Sequence, residues 1–397
     1  MSLAKFTQPL LLLFVGMSAI LVARPVHSQT ETVLYNFNNT DGDNPISGLT
    51  SDGKGNFYGT TPFEGDFGDG TVFELSPNGS GGWNYTVLYS FAGADGALPY
   101  ANVIFDSVGN LYGTTLNGGT YGRGVVFELS PMGASWTETV LYSPAKGQVG
   151  SYPQTGLIMD PAGNLYGATL GDVFELSPSD GGWTARKICG VAAHDYIVAG
   201  LTMDAAGNIF GNSQATVFEL TPNGKGGWLK HVLHKFAGSP NDGAAAEGIP
   251  VLDQAGNIYG TTEAGGLDGY GTVYEVSPEK HGKWTEKILY SFEGGTSDGY
   301  SPFGGIVFDA AGNIYGTTGF GGASGDGIVY ELLAPVGAGS YSEQVLWSFN
   351  GTDGQSPYGT LILDSAGNLY GTTYFGGSTL QGGCLGDGCG VVFEVTQ

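Results

Sequence analysis

The chain has 397 residues, of which 72 are glycine, 41% are hydrophobic and 12% are aromatic. This composition supplies enough apolar side chains for a core and excludes a disordered protein, and the absence of a strict three-residue glycine period excludes a collagen-like one. The formal net charge of −24 argues against nucleic acid or an anionic membrane as a partner, because both attract clustered Lys and Arg.

The first 28 residues have the pattern of a secretory signal peptide. Lys5 gives a positively charged start, residues 10–23 are apolar, and residues 26–28 form a cleavage site. The apolar stretch is short for a membrane span, and no later stretch approaches one. The sequence therefore predicts cleavage after Ser28, no membrane span in the mature chain, and a secreted, periplasmic or cell-surface protein. Loss of Lys5 and Arg24, with no acidic residue in the segment, moves the net charge from −24 to −26.

One motif then occurs seven times. It reads Asp-x-x-Gly-Asn, an apolar residue, an aromatic residue and Gly, and its copies begin at Asp52, Asp106, Asp160, Asp204, Asp253, Asp309 and Asp364. Successive copies are 54, 54, 44, 49, 56 and 55 residues apart. A period near fifty indicates a repeat architecture.

Each repeat divides into four short pieces with the character of β-strands. An apolar piece ends at the Asp, and the Asp-x-x-Gly-Asn that follows is typical of a hairpin turn. The second piece contains the aromatic residue and Gly-Thr-Thr, and the third reads Val-Phe-Glu-Leu or a close variant before Pro. The fourth begins four residues after a Trp in most repeats. No helical period is present in the mature chain.

Four strands in each of seven repeats predict an all-β, seven-bladed β-propeller that forms a single domain over residues 29–397. The mature chain begins with a lone fourth strand at 33–37 and ends with a third strand at 391–395. We therefore expect these two strands to pair and to close the ring, which removes exposed strand edges. A linear solenoid is the alternative, but it needs capping repeats, and none is visible.

The repeated motifs resemble those of the Gloeobacter/Verrucomicrobia tandem-repeat (GloVer) family. The resemblance rests on Asp-x-x-Gly-Asn-Leu-Tyr-Gly-Thr-Thr and on Gly-Gly-x-x-Gly-x-Gly-x-Val-Phe-Glu-Leu, and it covers nearly all of residues 31–397. The first hairpin is also similar to that of NHL-type propellers. The family implies a secreted or surface-held bacterial repeat protein and no particular reaction.

Chain direction reverses at each strand, so alternate connections lie on the same face of the ring. The Gly-rich loops between second and third strands therefore share a face with the Asp-Gly-x-x-Pro loops between blades. We predict that this face binds the ligand, since loops on a rigid scaffold commonly carry function. The predicted ligand contacts are Tyr121, Tyr196, Asp95, Asp298 and Asp353.

Acidic loop residues also raise the question of calcium. Ca²⁺ needs six to eight converging oxygen ligands, and no loop has the spacing of an EF-hand or of a calcium-binding Gly-Asp repeat. Asp-Gly is more often a turn, so no metal or other cofactor is predicted, with Ca²⁺ as the alternative. Cys384 and Cys389 lie five residues apart and are disulfide candidates in an oxidising compartment.

Residues that break the repeat are the candidates for chemistry. Arg123 lies in the Gly-rich loop of the second repeat, and His194 and Asp195 replace the usual loop between the third and fourth repeats. His can act as a general base that Asp orients. Sequence drift in a degenerate repeat explains the same residues without catalysis.

The sequence favours an exported binding module for extracellular polysaccharide or protein, expected to be monomeric. The alternatives are an extracellular carbohydrate-active enzyme, either a lyase or a hydrolase, that uses Arg123, His194 and Asp195, and a structural protein of the cell surface or matrix. No Gly-x-Ser-x-Gly motif with a matching His and acid is evident, so a serine hydrolase is disfavoured.

Overall fold

The turn after each first strand shows why the sequence folds as repeats. In the computed structural model, which describes residues 29–133, 135–337, 339–378, 384 and 387–397, Asp52 Oδ1 accepts the N–H groups of Lys54 at 2.7 Å and Asn56 at 3.2 Å. Asn56 Nδ2 donates to Asp52 Oδ2 at 2.8 Å, and Gly55 adopts a φ of 98°. The Asp side chain thus satisfies the donors of the chain reversal, and the same contacts recur in the other six repeats.

Each hairpin supplies the two inner strands of a four-stranded antiparallel sheet, which we call a blade and number in chain order. From the inside outwards, the strands of blades 1 to 4 are Thr50–Ser51, Phe57–Thr61, Thr71–Pro77 and Trp83–Ser90; Ile104–Phe105, Leu111–Thr115, Val125–Met132 and Ser135–Tyr142; Ile158–Met159, Leu165–Ala168, Asp172–Ser179 and Gly182–Gly190; and Leu201–Met203, Ile209–Ser213, Thr216–Pro222 and Trp228–Lys235. Those of blades 5 to 7 are Val251–Leu252, Ile258–Gly265, Thr272–Pro278 and Trp284–Ser291; Val307–Phe308, Ile314–Thr318, Ile328–Leu333 and Ser342–Ser348; and Ile362–Leu363, Leu369–Thr373, Val391–Thr396 and Thr30–Asn36.

Blade 7 is built from both ends of the described chain. Thr30–Asn36 pairs antiparallel with Val391–Thr396, and Val33 lies opposite Phe393. Phe37 lies just beyond the strand, and its N–H donates to the Gly390 carbonyl at 3.1 Å. The predicted closure of the ring is therefore confirmed, as is the all-β, seven-bladed propeller, although the first strand begins three residues before its predicted start.

The apolar core lies between neighbouring blades. In one cluster, Val72 and Phe91 from the first blade pack against Val125 and Phe127 from the second, and all four side chains are buried. Burial of an aromatic side chain of this size contributes about 2–3 kcal/mol. Seven such clusters, one at each blade boundary, distribute the core around the ring.

The Gly that follows the aromatic residue of each second strand allows this packing. A Cβ on Gly59 would lie 2.5 Å from the Phe73 ring of the third strand, which is closer than atoms can approach. The same strand carries a Tyr in six blades and Phe210 in blade 4. In blades 6 and 7 this Tyr bonds to the repeated Glu of the third strand: Tyr315 Oη donates to Glu331 Oε1 at 2.8 Å, and Tyr370 Oη donates to Glu394 Oε1 at 2.9 Å. These repeated residues hold the blade together.

In five blades a threonine of the second strand bonds to the next blade, and in blade 4 Asn212 Nδ2 does so, donating to the Gly248 carbonyl at 2.9 Å. Thr60 Oγ1 donates to the Ala101 carbonyl at 3.0 Å, and Thr114 Oγ1 donates to the Thr155 carbonyl at 3.0 Å. Blade 3 has Ala168 at this position, so its boundary with blade 4 lacks the bond. Each such hydrogen bond contributes about 1 kcal/mol.

Other features of the chain lie outside the blades. Cys384 and Cys389 form a disulfide with their Cα atoms 5.4 Å apart. One short 3₁₀ helix, Lys280–Gly282, is present, and within the described residues no helix has the length and hydropathy to cross a membrane. Residues 1–28, predicted to be a signal peptide, lie outside the described residues.

Candidate ligand-binding site

A cavity of about 690 Å³ lies at the axis of the ring, where the seven blades meet. It is lined mainly by the residues six, five and four positions before the Asp of each hairpin turn. These are residues 46–48, 100–102, 154–156, 198–200, 303–305 and 358–360, together with Glu247 and Ile249. They come at the end of the loops between blades, so the cavity lies on the face that the sequence analysis assigns to ligand binding. We call this cavity the cup.

Three of the seven blades carry a side chain at the lining position four residues before the turn Asp. At this position four blades carry Gly and the others carry Asn102, Ile249 and Thr360. A Cβ on Gly156 would lie 2.5 Å from Asn102 Oδ1, and Gly305 N donates to Thr360 Oγ1 at 2.8 Å. The glycines make room for these three larger side chains, two of them polar and one apolar.

The mouth of the cup is lined by one residue from each blade, six positions before the turn Asp. We call this set the mouth ring; its members are Ile46, Tyr100, Gln154, Val198, Glu247, Phe303 and Tyr358. The seven turns are alike, whereas this position differs from blade to blade. The ring therefore gives a symmetric scaffold an asymmetric surface.

Three aromatic side chains, Tyr100, Phe303 and Tyr358, line the cup, and two more pack against them. Phe303 and Tyr358 contact edge to face with their centroids 4.9 Å apart, and Tyr374 lies 5.7 Å from Tyr358. Phe63 meets Tyr100 at 6.1 Å from blade 1. We call these five residues the aromatic arc. Aromatic faces suit apolar, hydroxyl-bearing or cationic ligands.

Carboxylates lie on both sides of the cup. Glu247 is partly buried and accepts a hydrogen bond from Gln214 Nε2 at 3.3 Å; burial, with a smaller effect of the Glu263 charge, raises its pKa to about 7. Burial, with a smaller effect of Glu64, raises the pKa of Asp43 to about 6. Asp43 Oδ1 is buried and has no hydrogen-bond partner among the described residues.

Asp43 lies close to the aromatic arc. Burial raises the pKa of Tyr374, and the nearby Tyr100, Asp43 and Tyr358 raise it further, in that order. The charges of these four side chains therefore act on one another at the boundary of blades 7, 1 and 2.

The predicted catalytic residues lie away from the cup lining. His194 is exposed with a left-handed φ of 67°. Asp195 accepts hydrogen bonds from Ser213 Oγ at 2.8 Å and Ala215 N at 3.0 Å, which tie its loop to blade 4. Arg123 packs over the Tyr152 ring at 5.3 Å. In the part of the chain that the structure describes, no contact joins Arg123 to His194 or Asp195.

The predicted ligand contacts take two forms. Tyr121 and Tyr196 are 57% and 39% exposed at loop tips. Asp95, Asp298 and Asp353 instead hold their own loops. Their carboxylates accept hydrogen bonds from Tyr89 Oη at 2.6 Å, Tyr290 Oη at 3.1 Å and Trp347 Nε1 at 3.2 Å, and from backbone N–H groups of the same loops. None of these residues is among the described residues that line the cup.

Buried carboxyl groups also face one another at four blade boundaries. Each pairs an Asp of the loop with a Glu of the next blade's outer strand: Asp95 with Glu138, Asp242 with Glu286, Asp298 with Glu343 and Asp353 with Glu31. Burial first, and then the Asp charge, raise the pKa of Glu138, Glu286 and Glu343 to about 7 and that of Glu31 to about 8. Oε1 of each Glu is buried without a hydrogen-bond partner among the described residues. The neutral acid is the form that this setting favours.

At the boundary of blades 4 and 5 this pair has a histidine beside it. His234, Asp242 and Glu286 place one potential ligand atom each within 4.8 Å of one another, and they are the one such group of three found among the described residues. His234 Nε2 lies 3.1 Å from both Asp242 oxygens. The contact between His234 Nε2 and the Asp242 carboxylate already occupies the atoms that would bind a metal.

Sequence reasoning missed the mouth ring, although a signal was present. The seven copies of the repeat can be aligned on the turn Asp, and the position six residues before it then carries six residue types, whereas the Asp, Gly and Asn of the turn repeat in every copy. Variation at one position of a constant frame marks a surface that is not needed for the fold.

Comparison with known proteins identifies proteins of similar fold and the family of the chain. No curated protein matches the chain. Among solved structures, virginiamycin B lyase from Staphylococcus aureus is 12% identical with a TM-score of 0.56, over 93% of this chain and 99% of that chain. A catalytically inactive variant of that lyase, in complex with quinupristin, is 12% identical with a TM-score of 0.52 over the same shares. At this identity the likeness shows the propeller fold alone.

The repeat itself identifies the family. The model of the Gloeobacter/Verrucomicrobia repeat matches residues 18–214 and again residues 202–397. The two matches together include all seven copies of the turn motif. The chain therefore belongs to the Gloeobacter/Verrucomicrobia repeat family.

Proposed function

We propose that the protein is an exported binding module whose cup takes part of an extracellular polysaccharide. One observation carries the proposal: seven side chains of six residue types, about fifty residues apart in sequence, line the mouth of one cavity on an otherwise repeated frame. A structural role would favour the same residue in every blade, as at the turn Asp. A ligand without sevenfold symmetry requires different residues.

The chemistry of the lining supports a hydroxyl-rich ligand. The aromatic arc offers ring faces for stacking against a sugar, and Gln154, Glu247, Asn102 and Thr360 offer hydrogen-bonding groups. The cavity volume of about 690 Å³ is within the ~300–1,000 Å³ of small-ligand sites.

Export is the second part of the proposal. The signal-like segment at residues 1–28 predicts it, and the disulfide between Cys384 and Cys389 agrees with an oxidising compartment. The high negative charge keeps an exported protein soluble.

A glycan array with residues 29–397 tests the proposal. We expect binding to a restricted set of glycans, and we expect Tyr358→Ala and Phe303→Ala to weaken it by about tenfold or more, since each removes a stacking face. Leu229→Ala, on an exposed outer strand, is the control and should bind as the wild type does. No binding to any glycan would remove the proposal. Binding that is lost in Tyr121→Ala and kept in Tyr358→Ala would move the site to the loop tips.

The carbohydrate-active enzyme remains the alternative, with Arg123, His194 and Asp195 as its predicted residues. Polysaccharide turnover would be measured with the wild type, His194→Ala and Arg123→Ala. Equal turnover in all three proteins would eliminate that site, and loss of turnover in both variants would favour the enzyme over the binding module.

A further inference from the structure

The cup has negative charge and no positive charge to balance it. Glu247 is the one charged residue among the described residues that line it, and Glu263, Asp43 and Glu64 are close enough to act on its two sides. A uronic acid or a sulfated sugar would bring like charges together in a poorly solvated space. The cup therefore disfavours an anionic ligand.

The aromatic arc adds an attraction for positive charge. A cation over the face of Tyr or Phe is attracted by the ring quadrupole, and more strongly when it is desolvated. Asp43 lies beside the arc, since its N–H donates to the carbonyl of Phe63, whose ring contacts Tyr100 of the cup lining. The negative charge of Asp43 would add to the attraction of these rings for a cation.

Glu247 provides a hydrogen-bond acceptor across the ring from Tyr100. Its Oε1 accepts a hydrogen bond from Gln214, whereas its Oε2 makes no hydrogen bond to the described residues. Blade 5 carries Glu247 and blade 2 carries Tyr100, so the two side chains face each other over the mouth. A ligand between them would contact a carboxylate on one side and aromatic rings on the other.

The geometry points to an amine-bearing polysaccharide as the ligand, with Glu247 as the acceptor for a protonated amine, Asp43 as a nearby negative charge and the aromatic arc as the cover. This inference rests on the proposed function, because it names the class of sugar that the same cup takes. An amino sugar has a hydroxyl-rich sugar ring and a protonated amine, and the amine supplies the positive charge that the cup lacks.

Calorimetry with two matched probes tests the inference. Residues 29–397 are titrated near neutral pH with a glucosamine hexamer, whose amines are free, and with an N-acetylglucosamine hexamer, whose amines are blocked. We expect the glucosamine hexamer to bind at least about tenfold more tightly, as for a charge-assisted hydrogen bond, and this advantage to decrease with added salt. We also expect proton release, seen as a dependence of the heat on the buffer, because the amine favours the ionised form of Glu247, whose pKa is raised to about 7.

Variants assign the preference to the two carboxylates. Glu247→Gln keeps the shape and removes the charge, so it should reduce the advantage of the glucosamine hexamer about tenfold, with a smaller change for the acetylated hexamer; Asp43→Asn should act in the same direction. Melting curves verify that both variants fold. Equal binding of the two hexamers, or an advantage that survives in both variants, would overturn the inference and leave a neutral-glycan module standing. Binding of neither hexamer would also overturn it, and the glycan array then decides the wider proposal independently.

Discussion

The two faces of the propeller differ in how strictly the blades repeat. On the turn face, all seven blades use the same Asp and Asn with the same hydrogen bonds. On the loop face, the residue of the mouth ring changes between blades, for example from Val198 to Glu247 to Tyr358. The comparison teaches that repeated residues serve the backbone, which is the same in every blade, and that the variable residues are the ones available for the proposed ligand.

Two substitutions six residues apart in blade 7 should separate these roles. Asp364→Ala removes the acceptor of Ala366 N at 2.8 Å, Asn368 N at 2.8 Å and Asn368 Nδ2 at 3.1 Å, and it should lower the free energy of unfolding by about 2–3 kcal/mol. Tyr358→Ala should cost less stability and lose glycan binding. Denaturant unfolding and the glycan array measure the two effects. A stable Asp364→Ala variant that lost binding would reverse the comparison.

The four boundary carboxyl pairs should make stability depend on pH. Each Glu has a folded pKa of about 7 to 8, above its ordinary 4.5, so its contribution is fully present below about 4.5 and is lost as pH rises through 7 to 8. We expect the melting temperature to fall by a few degrees between mildly acidic and mildly alkaline buffer.

Matched variants separate this effect from general charge repulsion. Glu138→Gln and Glu343→Gln remove the titrating group and keep its shape, and the double variant should flatten the pH profile of melting. An unchanged slope in the double variant would assign the pH dependence to the net charge instead.

The missing bond between blades 3 and 4 offers a smaller test of the repeated frame. Ala168→Thr should supply a hydroxyl toward blade 4 and stabilise the protein by about 1 kcal/mol, and Thr114→Ala in blade 2 should destabilise it by a similar amount. Thermal unfolding of the pair measures both. If the Ala168→Thr variant were less stable than the wild type, the boundary between blades 3 and 4 would be packed too closely around Ala168 to accept the larger side chain.

Removal of metal should have the smallest effect. The Asp carboxylates of the loops already accept hydrogen bonds from the protein, as Asp95 does from Tyr89 and Ala92. We therefore expect EDTA to leave the melting temperature unchanged. A clear decrease that Ca²⁺ restores would assign an ion to the loops or to the group of His234, Asp242 and Glu286.

The fold could be predicted from sequence because its causes are local and occur seven times. Asp-x-x-Gly-Asn specifies a hairpin by itself, and the lone strand at 33–37 has the pattern of the fourth strand missing from the last repeat. The cup could not be derived in this way, because Tyr100, Glu247 and Tyr358 become neighbours only after the ring closes. The loop Asp residues show a related limit: an Asp that holds a turn and an Asp that binds a ligand have the same sequence, and only the bonds of Asp298 to Tyr290 and Glu293 show how it is used.

The most direct test of the cup is hydrogen exchange with and without the best glycan from the array. We predict slower exchange in peptides that cover residues 100–102, 303–305 and 358–360, and no change at the turn of residues 309–313 on the opposite face. Protection confined to residues 121–123 or 194–196, with none at the mouth ring, would contradict the account.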